Sequence, residues 1–319
     1  MVIIEREVIV EVPHRISGFF EIVDELHGRK IKDPEKIGSR GAGFNLNAVG
    51  ITKIQVEKVY ESKRSKVNIF INNEKVNRKA ETTYYIYNYI RNFIKKSVKF
   101  NIFHNFDLPV GCGYGASGSG ALGAIFGLDY LINLNLSNRE KGRIAHIAEV
   151  VNGTGLGTVC GLLRGGLCVL REPGYPCVSE RIEVPDNYII ICASFGMIHT
   201  KSILTDPVLN LKIKKAGRNA LEKLIQNRNI KTFIKASNEF VKETEILDIL
   251  NLYEIKELIN SLNKLNILGS SMNQLGRAVY VICKKENISK VVDIFNSYKP
   301  EVKIYNLLIN NNGPRILSK

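Results

Sequence analysis

Leu108-Pro109-Val110-Gly111-Cys112-Gly113-Tyr114-Gly115-Ala116-Ser117-Gly118-Ser119-Gly120-Ala121-Leu122 is the stretch that decides how this 319-residue chain reads. A proline opens a glycine-rich loop, small hydroxylated residues close it, and an apolar helical pattern starts at once with Ala121, Leu122, Ala124, Ile125 and Leu128. Glycines let a backbone curl close to a ligand, so that successive N–H groups and a helix N-terminus point at negative oxygens. Ser117 and Ser119 add hydroxyls within reach of a phosphate or a phosphate-bound cation. The loop reads as a cradle for a nucleoside triphosphate. Two other readings compete with it. Gly113 to Gly118 also matches G-x-G-x-x-G, but the dinucleotide fingerprint needs a strand running straight into the glycines and an acidic residue ending a second strand about 20 positions on. Here His104 to Cys112 intervene, and a second helix follows instead of a strand. The lysine of the P-loop signature is missing as well. Plain tight packing before a helix is the bland alternative.

Composition sets the outer limits. The chain is 45% hydrophobic and 24% charged, ordinary for a soluble enzyme, and long enough for two lobes. A formal charge of +14 points first to nucleic acid or a membrane surface. The basic residues are scattered, however, with Lys212, Lys214, Lys215 and Arg218 the densest run, and no nucleic-acid motif accompanies them. A basic surface that draws in anionic ligands accounts for the charge. The six cysteines, at 112, 160, 168, 177, 192 and 283, never form C-x-x-C and sit in apolar or glycine-rich surroundings. They read as buried thiols of a reducing compartment. Glu5-Arg6-Glu7 interrupts any leader-like run, and the uncharged window 108–128 is too rich in Gly, Ser and Ala for a membrane span. A cytoplasmic location is expected.

Outward from the central loop, residues 5–12 alternate as a strand that leads into a glycine-containing turn at Pro13 to Phe20. A charged loop ends in Gly38-Ser39-Arg40-Gly41-Ala42-Gly43. Strands are expected at 44–59, 66–71 and 98–103, with a turn at Asn72 to Lys75 and a helix from Tyr84 to Ile94. Ser137 and Glu140 form a capping-box match that starts a helix ending near Glu149. The glycine loop Asn152-Gly153-Thr154-Gly155-Leu156-Gly157-Thr158, a short helix and a strand at 166–171 follow. Glu172-Pro173-Gly174 begins a linker, so residues 1–180 and 181–319 are expected as two lobes. Asp206-Pro207 opens a run of helices reaching about 266. Gly269 to Gly276 then precedes strand, helix and strand. The irregular mixture argues for α+β, not a doubly wound parallel sheet.

Pro109 to Ser119 fits P-x-x-x-G-[LY]-G-x-S-[SAG]-[SAG] in order and spacing, and with the flanking glycine loops the chain resembles the GHMP kinase superfamily of small-molecule kinases. Pro13 to Ile22, Asp33-Pro34, Gly38 to Gly43, Thr154 to Gly157, Gly165-Gly166 and Pro173-Gly174 narrow the resemblance to archaeal pantoate kinases. It spans about residues 10 to 285 and is weakest from 210 to 265. It implies a two-lobed α+β fold with a left-handed βαβ element, an active site between the lobes, and ATP with Mg²⁺. The implied reaction phosphorylates pantoate at its primary hydroxyl, giving 4-phosphopantoate on the archaeal route to coenzyme A. The implied partner is a small molecule, with neither nucleic acid nor membrane, and a homodimer is the one assembly allowed for.

The resemblance also suggests roles. Pro109, Gly111, Gly113, Gly115, Ala116, Ser117, Gly118 and Ser119 form the nucleotide loop. Ser117, with Ser119 as alternate, and Glu149 are the expected Mg²⁺ ligands, since Mg²⁺ takes hard oxygens and few of them from protein. Arg15 stands where relatives carry a basic residue near the transferred phosphate. Arg40 suits a bidentate pair with the substrate carboxylate, or else pins its own loop. His14 and Ser17 are candidates for the substrate hydroxyls. Gly269 to Gly276 either closes over the phosphates or braces the other loops. One departure stands out. Where the family pattern places an aspartate as base for the acceptor hydroxyl, this chain has Thr158, and a neutral hydroxyl is no ordinary base at pH 7. Either no base is needed, or His14 substitutes, or transfer is weak or lost. The alternatives are another GHMP kinase acting on homoserine, shikimate or mevalonate, and a non-catalytic ATP-binding homologue.

Overall fold

Val8, Val10 and Val12 put a fully buried apolar row on one face of a strand, and that strand does not stop at Pro13. In the computed structural model, which describes residues 4–58, 65–94, 97–198, 200–298 and 302–318, β1 runs over Ile4–Val23. A small hairpin of β2 (Glu25–Leu26) and β3 (Arg29–Lys30) follows, and β4 (Gly38–Lys58) returns antiparallel to β1, paired from Ile4↔Glu57 to Val23↔Gly38. Pro13 to Phe20 and Gly38 to Gly43, expected as turn and loop, are therefore strand. Their glycines serve close approach. A Cβ on Gly18 would lie 2.3 Å from Ser237 Oγ, and one on Gly43 would lie 2.1 Å from the Ile16 carbonyl oxygen. Register shifts at Pro13/Arg15 and Ser17/Phe19 absorb the proline, which has no N–H for the ladder.

The turn at Asn72 and Asn73 forms as expected between β5 (Lys66–Ile71) and β6 (Glu74–Lys75). α1 (Glu81–Ile90) then carries the chain to β7 (Val98–Phe106), which lies parallel to β5. This parallel pair joined through a helix is the βαβ crossover. α2 (Ala116–Ile132) is buried nearly all round, as a core helix should be. Its Gly123 rests on Thr52 and its Gly127 on Ile54. The capping box opens α3 (Asn138–Asn152) with both of its hydrogen bonds made. α4 (Thr158–Arg164), β8 (Leu167–Leu170) and β9 (Ser179–Ile182) follow, and β8 pairs with Gly41 to Phe44 of β4.

β10 (Tyr188–Ser194) starts a second sheet, and the helices α5 (Thr200–Thr205), α6 (Pro207–Gln226), α7 (Ile230–Thr244), α8 (Ile246–Ile249) and α9 (Tyr253–Leu262) come next. Asp206 caps α6 through Leu209 N–H with Pro207 in the first turn, as the sequence suggests. β11 (Gly269–Met272), β12 (Ala278–Lys284), α10 (Ile288–Asn296) and β13 (Lys303–Leu307) complete this part, with sheet order β11-β12-β10-β13. β14 (Arg315–Ser318) returns to the first sheet, whose main path is β14-β1-β4-β7-β5-β6. One apolar core lies under α1, α2 and α3. The other joins Ile16, Phe19 and Phe44 of the hairpin to Phe233 and Tyr280. The β1–β4 hairpin thus runs through both cores.

The expectation of six buried thiols does not hold for two of them. Cys160 and Cys177 form a disulfide, while Cys112, Cys168, Cys192 and Cys283 are buried free thiols. C-x-x-C spacing could not reveal a pair 17 residues apart that only the packing of α4 brings together. Within the densest basic run, Lys212 is paired with Glu245, Lys214 with Asp24 and Arg218 with Glu21. Among the described residues no helix is long and apolar enough to cross a membrane.

Candidate active site

Beyond β7 the chain passes through Gly111, Gly113 and Gly115 at φ of 77°, 84° and 69°, a left-handed region that favours glycine. Gly115 is the N-cap of α2 and offers no side chain to its first turn. Those N–H groups are left for an anion, and the helix dipole adds to their pull. Gly113, Gly115, Ala116 and Ser117 line a cavity of about 390 Å³. The loop is braced from behind. Tyr114 carbonyl accepts from the Arg15 N–H and the His14 ring, both at 3.0 Å. A Cβ on Gly276 would lie 2.0 Å from the Cys112 carbonyl oxygen, so the 269–276 motif packs directly on the loop. Asn273 accepts from Ser17 N–H at 3.2 Å, and Gln274 N–H donates to Ser17 carbonyl at 2.9 Å. Of the two readings of this motif, bracing is what these contacts do.

Glu149 comes to the same place from the last turn of α3 and is 1% exposed. Its Oε1 accepts from the Thr154 hydroxyl at 2.8 Å, while Oε2 is buried without a hydrogen-bond partner. Burial pushes its pKa up, and the neighbouring Ser117 and Thr154 hydroxyls offset part of the rise. The Ser117 hydroxyl itself is directed to the Thr154 carbonyl at 3.5 Å. A Cβ on Gly155 would lie 2.2 Å from Glu149 Oε2, so that loop must be glycine for the carboxylate to be seated. A half-satisfied buried carboxylate beside a hydroxyl and an open helix N-terminus is costly unless something charged completes it. Two hard oxygens, with phosphates and water to fill the remaining positions, suit Mg²⁺. Among the described residues no group of three or more His, Cys, Asp or Glu is arranged to hold a metal.

Residues 82–166 match the family described as the GHMP kinases N terminal domain. The chain is 32% identical over 289 residues to a pantoate kinase of Methanocaldococcus jannaschii, covering 89% of this chain and 96% of that protein. The chain belongs to the GHMP kinases. A solved structure titled as a phosphotransferase related to the CoA biosynthesis pathway superposes on this GHMP kinase with a TM-score of 0.85, at 26% identity and over 98% and 99% of the two chains. A homoserine kinase of Cytophaga hutchinsonii shares the fold at a TM-score of 0.68 and 15% identity, over 98% and 97%.

The remaining candidates divide cleanly. In this GHMP kinase Arg15, Ser17, Arg40 and Thr158 all line the cavity. Arg15 is 3% exposed and donates to Asn45 Oδ1 at 3.3 Å, with no carboxylate in ion-pair reach among the described residues. Its guanidinium lies over Gly161 of α4, where a Cβ would sit 2.2 Å from Cζ. Thr158, first residue of α4, packs its methyl towards Gly115 and Gly118. Arg40 is bound to Glu21. Two candidates point elsewhere. Ser119 donates to the Val12 carbonyl at 3.2 Å behind the loop, so it is not an alternate metal ligand. His14 is fully buried, its ring held by Tyr114 and set edge-on to Phe106, and burial lowers its pKa. It does not line the cavity, and its Nε2 is buried without a hydrogen-bond partner among the described residues. Pro109 and Gly118 shape the loop without lining the cavity. Sequence reasoning missed Asn45, Glu21, Asn273 and Gly161. Glu21 and Asn273 left a trace, inside the Pro13 to Ile22 and Gly269 to Gly276 stretches, but without a role of their own.

Proposed function

We propose that this protein is an ATP-dependent kinase that phosphorylates pantoate at its primary hydroxyl, giving 4-phosphopantoate. The observation that carries the transfer chemistry is Glu149, buried with one orphaned oxygen beside Ser117 at the uncapped start of α2. Pantoate as acceptor is supported by the likeness to the Methanocaldococcus jannaschii pantoate kinase. The placement in coenzyme A biosynthesis draws on the same likeness and on the phosphotransferase neighbour.

Phosphoryl transfer is chiefly positioning and charge neutralisation. The N–H groups of Gly113 to Ser117 bind the phosphate chain, and Arg15 supplies a positive charge that no carboxylate among the described residues compensates. Glu149 and Ser117 would hold Mg²⁺, which when bound neutralises charge on the β- and γ-phosphates. The acceptor oxygen bonds to the γ-phosphorus as the bond to the bridging oxygen breaks. Among the described residues the carboxylate lining the cavity is Glu81, exposed at the start of α1. With Thr158 in place of aspartate, the acceptor proton leaves late, to a phosphoryl oxygen or to solvent, as a loose transition state allows. Thr158 accepts or donates a hydrogen bond at that hydroxyl and does not serve as base.

A second reading, an ATP-binding homologue without transfer, is favoured by Thr158 alone. Product formation from Mg-ATP with pantoate, homoserine, shikimate and mevalonate side by side separates the possibilities. Turnover on pantoate is expected. Turnover on another acceptor instead, or nucleotide binding without any product, would overturn the proposal.

A further inference from the structure

Glu21 is 2% exposed, yet two arginines from different elements converge on it. Arg40, on the paired strand β4, donates to Oε2 from Nε at 2.9 Å and from Nη2 at 2.5 Å. Arg218, on α6, donates to Oε1 from Nε at 3.2 Å and from Nη2 at 3.1 Å. The approach of α6 depends on Gly217, where a Cβ would lie 2.6 Å from Glu21 Cα. Both carboxylate oxygens are thus occupied by protein. Three charges sum to one uncompensated positive charge, and Arg40 brings it to the cavity wall. The neighbouring Asp24 is taken by Lys214 and Lys30, so it does not compete for Arg40.

We infer that Glu21 is a positioning residue for substrate recognition: it fixes Arg40 so that the guanidinium edge not bonded to Glu21 receives the carboxylate of the acceptor, while Arg218 leaves the cluster cationic. The inference rests on the pantoate reading and adds the element that selects a hydroxy acid over its uncharged analogues. Among the described residues the cations lining the cavity are Arg15 and Arg40. On the β1–β4 ladder Arg15 lies opposite Asn45 and Arg40 opposite Glu21, five residues further along β4. Arg15 stands at the phosphate loop, so the carboxylate end of the acceptor falls to Arg40. Nη1 of Arg40 has no hydrogen bond among the described residues. A guanidinium held in one orientation loses little freedom on binding and presents its fork to a planar carboxylate.

The test compares pantoate with its neutral amide as acceptors in the wild type and in Glu21→Gln, Arg40→Lys and Arg218→Ala, with thermal melting of each. Glu21→Gln and Arg40→Lys are expected to raise KM for pantoate on the order of 10- to 100-fold, the worth of a charge-assisted pair, with KM for ATP unchanged. The preference for pantoate over the amide falls by a similar factor, and Arg218→Ala gives a smaller change of the same sign. Arg40 is only partly exposed and Arg40→Lys keeps the charge, so it reads out the geometry even if Glu21→Gln folds poorly. Preference for pantoate preserved in both variants, whatever their melting temperatures, would make Glu21 a mere clamp between β1, β4 and α6. A wild type that does not phosphorylate pantoate fails before any variant is compared, and takes this inference down with the functional reading.

Discussion

Glu149 concentrates the energetic argument in a single side chain. Its carboxyl resists ionisation in the fold because burial opposes the charge, whereas in the unfolded chain it ionises in the ordinary range. In metal-free protein its contribution to stability is therefore present at low pH and is lost as pH rises through the raised folded value. Glu149→Gln should flatten that dependence and leave the metal-free protein at least as stable as wild type at neutral pH, measured by urea unfolding across pH. Activity should fall roughly 100-fold or more, the usual cost of removing an electrostatic partner of the transferring group. A variant both unstable and inactive would place Glu149 in structure only. The sequence signalled Glu149, Ser117 and Thr158 because glycine loops flank them. It did not tell which way His14 and Ser119 face, since a residue type and a position near a loop carry no side-chain direction. His14 is turned to Tyr114 and Ser119 to Val12, both behind the phosphate loop.

The short helix α4 ties several of these parts together. It begins with Thr158, makes room for Arg15 at Gly161, and carries Cys160 of the disulfide. Gly161→Ala improves helix propensity by about 1 kcal/mol but drives a Cβ into the Arg15 guanidinium. A long side chain moves aside at small cost, so stability should change by no more than about 1 kcal/mol. The turnover number should drop about 10-fold or more as Arg15 leaves its place. Unchanged turnover in a steady-state assay would remove Arg15 from the chemistry. The disulfide closes a loop with a sequence separation of 17, worth about 3 kcal/mol by chain entropy. Reductant should accordingly lower the melting temperature by several degrees in calorimetry, and should raise the titratable thiols of the denatured protein from four to six. Equal thiol counts with and without reductant would contradict the pairing. At this scale the helices were legible from capping residues such as Ser137 and Asp206. The hairpin was less so, because Gly18 and Gly43 read locally as turn residues. Their actual constraint comes from Ser237 and the Ile16 carbonyl, contacts that no short window of sequence contains.

Over the molecule as a whole, three buried histidines, His14, His104 and His146, are expected to weaken the fold in acid. His104 is enclosed by Thr52 and Thr83 hydroxyls at 2.9 and 3.0 Å, and burial lowers its pKa from 6.5 to about 4. His14 and His146 are shifted the same way. Each contributes stability that is present above the unfolded value and lost as pH falls towards the folded one. For His104 the loss is about 3 kcal/mol between pH 6.5 and 4. Urea midpoints should fall steadily over that interval, and His104→Gln should shallow the slope. A flat profile would show that these rings titrate freely. The mixed α+β class and the central loop were readable from the chain. The return of β14 to β1 was not, because strand pairing between the two ends of a chain leaves no local pattern.

Transfer of the γ-phosphoryl group to pantoate through the Glu149 and Ser117 site can be put to one paired measurement. Initial rates of 4-phosphopantoate formation from Mg-ATP and pantoate would be taken for the wild type and Glu149→Gln. Rapid product formation is expected from the wild type, and a rate lower by roughly 100-fold or more from the variant. Equal rates in the two proteins, or no product from the wild type while ATP is bound, would contradict it.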